Sequence, residues 1–421
     1  MAGLRRTKSF RVRVFLTLMI ASVVALSFVT YAAKDPVTIK YASWWFTEAG
    51  HKEWLNAFID KFEKENPDIK VDRIAIASGD VHDKFMTEAA AGTGPDVLWF
   101  RDISMIPFAT MGFLEPLDKY INPKDYKLEE INKAGIVNGK RYGLNVMAFA
   151  YGQLIYNKKM LAEAGVKPPT TPQELLDVAK KLTKAPDRYG FGMPVDPAET
   201  EYFAQNIQKF ACGFDTAISQ KGKIVVNNPK FVQAMNWYKK IYEANVTPKG
   251  ISWKVQRRMF ADDKIAMLCD GAYQFGIIDG FYPGHSKDFG AIRPPFPGKL
   301  VLFNQNFIGI NKNSKHKAET VRFLKWWMRA DNQAEYNTYG LHVGTVKTPY
   351  SKEFLEANPY LAAYSDPKLI PQPTIVVGFD QDSEQIRRTM VDHIADILFK
   401  NKPAATALNE AQKAIMAFAK K

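Results

Sequence analysis

Apolar positions along the chain recur at two spacings, and the change from one to the other marks out the elements. "VTIKYASWW" and "IKVDRIAIA" predict strands. Between them Trp54, Leu55, Phe58, Ile59 and Phe62 fall at helical spacing and stop at "NPD". "GDVHDKFMTEAAAGTGPDVLWF" then predicts a helix, a Gly-rich turn and an unbroken apolar run, Val97, Leu98, Trp99 and Phe100. Continuous apolar strands separated by helices fit a parallel sheet buried on both faces. The first part of the chain is therefore expected to be α/β.

"NGKRYGLNVMAFAYGQLIYNKKMLAEAG" reads as extended chain returning into a helix. In "TTPQELLDVAKKL" Thr171 stands three residues before Glu174 with Pro172 between, a capping-box start. "NNPKFVQAMNWYKKIYEANV" and "KAETVRFLKWWMRADNQAEY" predict two more helices, and Trp327 in the second is expected to be core packing. The strands "KIAMLCDGAY" and "LVLFNQNFIGI" lie between these helices, and two helices separated by "KNKP" follow Glu384. A single core stops growing near ~250 to 300 residues, so 421 residues predict two lobes.

The first 33 residues change the charge picture. Arg5, Arg6, Lys8, Arg11 and Arg13 precede the apolar run "VFLTLMIASVVALSFV", and small residues follow, as in a secretory signal peptide. Cleavage after Ala32 leaves Thr30 and Ala32 at the small-residue positions. Val14 to Ala33 also approaches the ~20 residues of a bilayer span, so an uncleaved anchor is the alternative. No cysteine near the boundary offers a lipid attachment point. Without this segment, which holds five basic and no acidic residues, the formal charge drops from +13 to +8. The remaining Lys and Arg are scattered and form no basic run, so they read as solvated surface rather than as a site for anionic ligands or a membrane. Cys212 and Cys269 are the only cysteines, and spacing leaves open whether they pair.

No HExxH, GxSxG, phosphate-loop or dinucleotide motif occurs, and the six histidines show no metal-ligand spacing. What recurs is an aromatic or amide group at the end of a predicted strand: Trp44 and Trp45, Trp99 with Asp102, Tyr273 after Asp270, and Asn304, Gln305, Asn306. Ligands of open α/β sheets sit outside the carboxyl ends of the strands. Aromatic faces stack on the apolar faces of a sugar ring, and Asp, Asn and Gln hydrogen-bond its hydroxyls. Side chains alternate along a strand, so a strand running through Trp44 and Trp45 would send one to the core and the other to the cleft; Trp45 is the one expected at the cleft.

The ordered set "FIDKFEKENPDIKV", "AAAGTGPDVLWF", "GFLEPLDKYI", "GKRYGLNV", "LIYNKKMLAEAGVKPPTTPQELLDVAKKL", "FADDKIAMLCDGAY" and "AETVRFLKWWMRADNQAEY" resembles the family 1 extracellular solute-binding proteins of ABC importers, the group that includes maltose-binding protein. The resemblance spans nearly all of the chain after residue 33. It implies a periplasmic, monomeric, two-lobe α/β protein with no cofactor, metal or nucleic-acid partner. Residues 34–147 and 302–344 would form the first lobe, with 148–301 and 345–421 forming the second. The lobes would close over a mono- to oligosaccharide and deliver it to a membrane permease. Carried over by position, Trp44, Asp80, Trp99, Arg101 and Asp102 take first-lobe contacts, and Tyr151 falls near the contacts that precede the family's "YNK". Asp270 and Tyr273 stand where the family usually has Asn and Trp, and Asn306 stands where it commonly has Trp. One stacking surface is thereby exchanged for amide hydrogen bonding. With Arg101 beside the cleft, an acidic sugar or a glycerol-phosphate-type ligand is an alternative within the same fold. A secreted polysaccharide-degrading enzyme is the alternative outside it.

Overall fold

The computed structural model describes residues 35–419 apart from 49, 78, 127–129, 341–350 and 365–367. The expected signal segment, residues 1–33, and the expected lobe boundary at 344/345 lie outside the described residues. Leaving aside two short hairpins, the strands are β1 Val37–Ser43, β2 Ile69–Ala75, β3 Val97–Arg101, β4 Leu144–Tyr151, β5 Gln153–Asn157, β6 Met267–Asp270, β7 Phe289–Ile292, β8 Leu300–Ile310 and β9 Ile370–Pro373.

Six of these form one sheet in the order β9-β8-β3-β1-β2, with β4 also paired to β8. β1 and β3 are parallel, as the helices His51–Glu65 and Val81–Ala90 between the first three strands require. β8, however, runs antiparallel to both β3 and β4, so the sheet is mixed rather than wholly parallel. The chain reaches β8 only after passing through the second sheet, so no single crossover helix ties its direction to β3. That second sheet has the order β6-β5-β7, both pairs antiparallel. Gly152 joins β4 of one sheet to β5 of the other with φ +121°, a conformation L side chains rarely adopt.

The two lobes have separate cores. Around the first sheet pack Tyr41, Phe58, Phe62, Phe100, Phe307 and Trp327. Trp327 is fully buried, edge-on to Tyr41 and Phe58. Around the second, Phe210, Tyr238, Met390, Ile394 and Leu408 join the helices Thr200–Gly213, Pro229–Glu243, Ser383–Phe399 and Ala404–Phe418. A smaller cluster holds Phe260, Phe275 and Phe289.

Local departures from the expected elements have local causes. The helix predicted through "KAETVRFLKWWMRADNQAEY" is two, Lys317–Trp327 and Ala330–Gly340. Asn332 and Gln333 donate their side-chain amides to the carbonyls of Trp326 and Trp327, satisfying the end of the first helix. Thr171 caps its helix through Glu174 N, while Glu174 reaches back to Thr170 rather than to Thr171. Cys212 and Cys269 are free and buried, which resolves the pairing left open by their spacing. Burial pushes both thiols up to about 12. Among the described residues no helix is long and apolar enough to cross a membrane.

Candidate ligand-binding cavity

The two tryptophans do not follow strand alternation, because the strand ends before them. β1 stops at Ser43, whose Oγ accepts from Trp45 N at 3.2 Å and opens a 3-10 turn, Trp44–Thr47. Thr47 Oγ1 closes the turn on Trp44 O at 2.7 Å. With about three residues per turn, neighbouring side chains no longer point to opposite faces of a sheet. Trp44 and Trp45 are both buried, and both line one narrow cavity of about 40 Å³.

Strands β4 and β8 supply part of the lining through Met147, Phe149, Tyr151, Asn304 and Asn306. Alternation does hold on β8: Asn304 and Asn306 line the cavity, while Gln305 accepts from Asn145 Nδ2 at 3.2 Å. Asn306 Nδ2 donates to Asn304 Oδ1 at 3.2 Å, and Asn306 Oδ1 is buried with no partner. An orphaned buried acceptor costs ~1 to 3 kcal/mol, which a ligand hydroxyl would relieve.

The charged groups of the cavity arrive as pairs. Arg101, ending β3, bonds Glu201 on the helix Thr200–Gly213 and stands 5.6 Å over the Trp44 ring. Burial opposes both charges. Even so, Glu201 holds Arg101 above its ordinary value, and Arg101, Arg387 and Gln205 hold Glu201 below its own. Arg257, on the helix Trp253–Ala261, donates Nη2 to Tyr273 Oη at 2.6 Å and keeps Nε 3.4 Å from Asp270 Oδ2. Tyr273, first residue of the helix after β6, donates its hydroxyl to Asp270. The third pair is Glu48 with His51, whose Nδ1 lies 3.0 Å from Glu48 Oε2. Burial would raise Glu48, but His51, Arg257 and Arg101 bring it below the ordinary carboxylate value.

Behind this lining Lys209 donates Nζ to Cys269 O at 2.9 Å and sits 4.3 Å over the Tyr151 ring. Burial pulls its ammonium down to about 8.

Of the residues singled out by sequence, Trp44, Trp45, Arg101, Tyr151, Tyr273, Asn304 and Asn306 line the cavity. Trp99 lies beneath Trp44, with ring centroids 4.8 Å apart, and Asp270 sits under Arg257 and Tyr273. Asp102 takes a hydrogen bond from Thr374 Oγ1 and does not reach the cavity, and neither does Gln305. Asp80 lines a different, wider groove. Sequence reading passed over Glu48, His51, Met147, Phe149, Tyr202, Gln205 and Arg257, which carry no motif. The Glu48–His51 spacing, one helical turn, is the one local signal that could have flagged a pair. Elsewhere His393, Asp396 and Glu410 bring three ligand-type atoms within 4.8 Å, but the Lys402 ammonium donates to both carboxylates.

A family model described as bacterial extracellular solute-binding protein matches residues 57–363. A putative binding protein of Brucella abortus is 25% identical over 369 residues, 84% of this chain and 87% of that one. A putative ABC transporter periplasmic-binding protein of Escherichia coli is 24% identical over 301 residues, 67% and 66% of the two chains. The maltotriose-binding protein of Pyrococcus abyssi is 24% identical over 360 residues, 81% and 71%. Among solved structures, the GacH receptor of Streptomyces glaucescens, determined unliganded and with acarbose, superposes with a TM-score of 0.78 at 19% identity, covering 91% of this chain and 98% of that one.

Proposed function

The chain belongs to the bacterial extracellular solute-binding proteins, and from that premise we propose that it holds a neutral carbohydrate in this cavity and passes it to the membrane subunits of an ABC importer. The observation that carries this reading is the lining itself: aromatic rings, side-chain amides and charged groups already matched within the protein. Rings offer stacking faces, and Asn304, Asn306 and Gln205 offer hydroxyl partners. Arg101 and Arg257 each have a carboxylate beside them, so an anionic ligand would add a charge that nothing in the cavity awaits. That favours a neutral sugar over the acidic-sugar or glycerol-phosphate alternative. Relatives and structural neighbours bind maltotriose and acarbose, in line with this class of ligand.

The reading includes a lobe division near 147/148, 301/302 and 344/345, with Gly152 close to the first crossing. It includes export directed by residues 1–33, and binding without turnover by a monomer. Trp44 is assigned the stacking face, since Trp45 is packed by several rings.

A thermal-shift screen of neutral and uronate saccharides tests it. A neutral sugar at 100 times its dissociation constant should add about 2.7 kcal/mol of stability. The reading fails if no saccharide stabilises the protein. It also fails if chromatography of the incubated sugars reveals cleavage.

A further inference from the structure

Behind the cavity wall lies a buried ammonium with no carboxylate of its own. Lys209, on the helix Thr200–Gly213, touches three pieces of that wall. Its stem lies along Gly152, with Cβ, Cγ and Cδ 3.2 to 3.6 Å from the place a Cβ would take there. Its Nζ donates to Cys269 O, the carbonyl just before Asp270 on β6. The same Nζ stands 4.3 Å over the ring of Tyr151, which lines the cavity, and 5.7 Å over that of Trp253. Resting on the carbohydrate reading above, we propose that Lys209 is a positioning residue for the bound sugar, its positive charge holding the Tyr151 ring where the ligand meets it.

Packing does not call for that charge. A methionine side chain would cover Gly152 as the lysine stem does, without taking an ammonium out of water. A buried charge that no carboxylate meets costs free energy, and among the described residues no ion pair joins Lys209. Asp270, whose charge acts on it, pairs instead with Arg257 and Tyr273. What the ammonium does have is the face of Tyr151, and a cation–π contact strengthens when it is desolvated. Tyr151 ends β4 immediately before Gly152, so one lysine fixes both the ring and the backbone that carries it.

The surroundings give the contact a pH dependence of defined sign. Burial lowers the ammonium to about 8, against the charges of Asp270 and Cys269 and with that of Arg257. Cys269 on β6 and Cys212 on the same helix as Lys209 are pushed up to about 12. Tyr151, Tyr273, Arg257 and Tyr364, which donates to Asp270 O, also hold their protons above their ordinary values. When Lys209 loses its proton, the amine still donates to Cys269 O, but the attraction to the ring is gone. The sugar-bound state therefore favours the charged form, and affinity falls as pH rises through about 8.

The test is titration calorimetry from pH 7 to 9.5 with neutral gluco-, manno- and xylo-saccharides of one to three units. It uses the full chain and Lys209→Met, beside thermal melts of both. The parent's affinity should fall severalfold over that range. Lys209→Met should melt near the parent, bind about tenfold more weakly at pH 7 and show no such fall, as for a lost desolvated cation–π contact. A parent affinity that stays level overturns the inference whether or not the variant folds, and so does a fall that persists in Lys209→Met. Either result leaves the carbohydrate reading standing. If no member of the three series binds at any pH, the carbohydrate reading fails and takes the inference with it.

Discussion

The imidazole of His51 lies flat on the indole of Trp45, ring centroids 4.4 Å apart and planes 6° from parallel. Tyr336 stacks on the same indole at 5.2 Å, and Trp54 and Tyr339 meet it edge-on at 6.1 and 6.0 Å. Trp44 has Trp99 beneath it and Arg101 over it. Trp45→Ala is therefore expected to cost ~3 to 5 kcal/mol of stability, the range for a large buried ring. Trp44→Ala should cost less stability and weaken saccharide binding by ~1 to 3 kcal/mol. Thermal melts beside titrations check both; a Trp45→Ala protein melting like the parent would refute the assignment. The expected roles are the reverse of the expectation from sequence, which put Trp45 at the cleft.

Asp102 gives a pH dependence of defined sign. Burial raises its carboxyl to about 6, against the hydrogen bond from Thr374 and the charge of Arg387. The native state thus binds this proton more tightly than the unfolded chain does. Its contribution to stability is fully present below the ordinary carboxylate value, near 4, and is lost as pH rises through about 6. The span is on the order of 3 kcal/mol, at about 1.4 kcal/mol per unit. Comparing denaturant midpoints of Asp102→Asn and the parent from pH 4 to 7 isolates this contribution. The variant's relative stability should climb across that range, and a constant difference would refute the assignment.

Gly152→Ala should destabilise the protein by ~1 to 3 kcal/mol. Its φ of +121° is unfavourable for alanine, and an added Cβ would meet the Lys209 stem at 3.2 Å. Chemical denaturation reads the loss, and an unchanged midpoint would show that the backbone there relaxes freely.

Both thiols should be silent in the native protein. Burial of Cys212 and Cys269 denies access to a thiol reagent, and their raised pKa values keep them protonated. Colorimetric titration is expected to find none in native buffer and two in denaturant without reductant. Finding none in denaturant would mean that they are joined.

The strands and most helices were legible because their apolar spacing is regular: β3 and β8 are apolar enough to declare themselves. The 3-10 turn at Trp44–Thr47 was not, since Ser43 ends the strand through a side-chain hydrogen bond that leaves no mark on periodicity. On β8 the same alternation that misled at Trp44 separates Asn304 and Asn306 from Gln305. Half of the cavity was out of reach for another reason. Tyr202, Gln205 and Arg257 lie on the helices Thr200–Gly213 and Trp253–Ala261, where a polar residue facing the cavity and one facing solvent read alike in a single sequence. His51 has no metal-ligand spacing to mark it in the sequence, whereas the structure gives it a carboxylate partner and an aromatic neighbour.

β9 enters the first sheet from residues 370–373, and Thr374 just beyond it bonds Asp102, 272 positions earlier. Closing contacts between such distant parts of a chain costs entropy, and folds rich in them form slowly. The helix Thr200–Gly213, which supplies Tyr202, Gln205 and Glu201, packs in turn against Ser383–Phe399. Ligand capture is thus tied to completion of the polypeptide: a chain interrupted before its C-terminal helices holds the tryptophans and the asparagines but lacks the support that keeps the opposite wall in place.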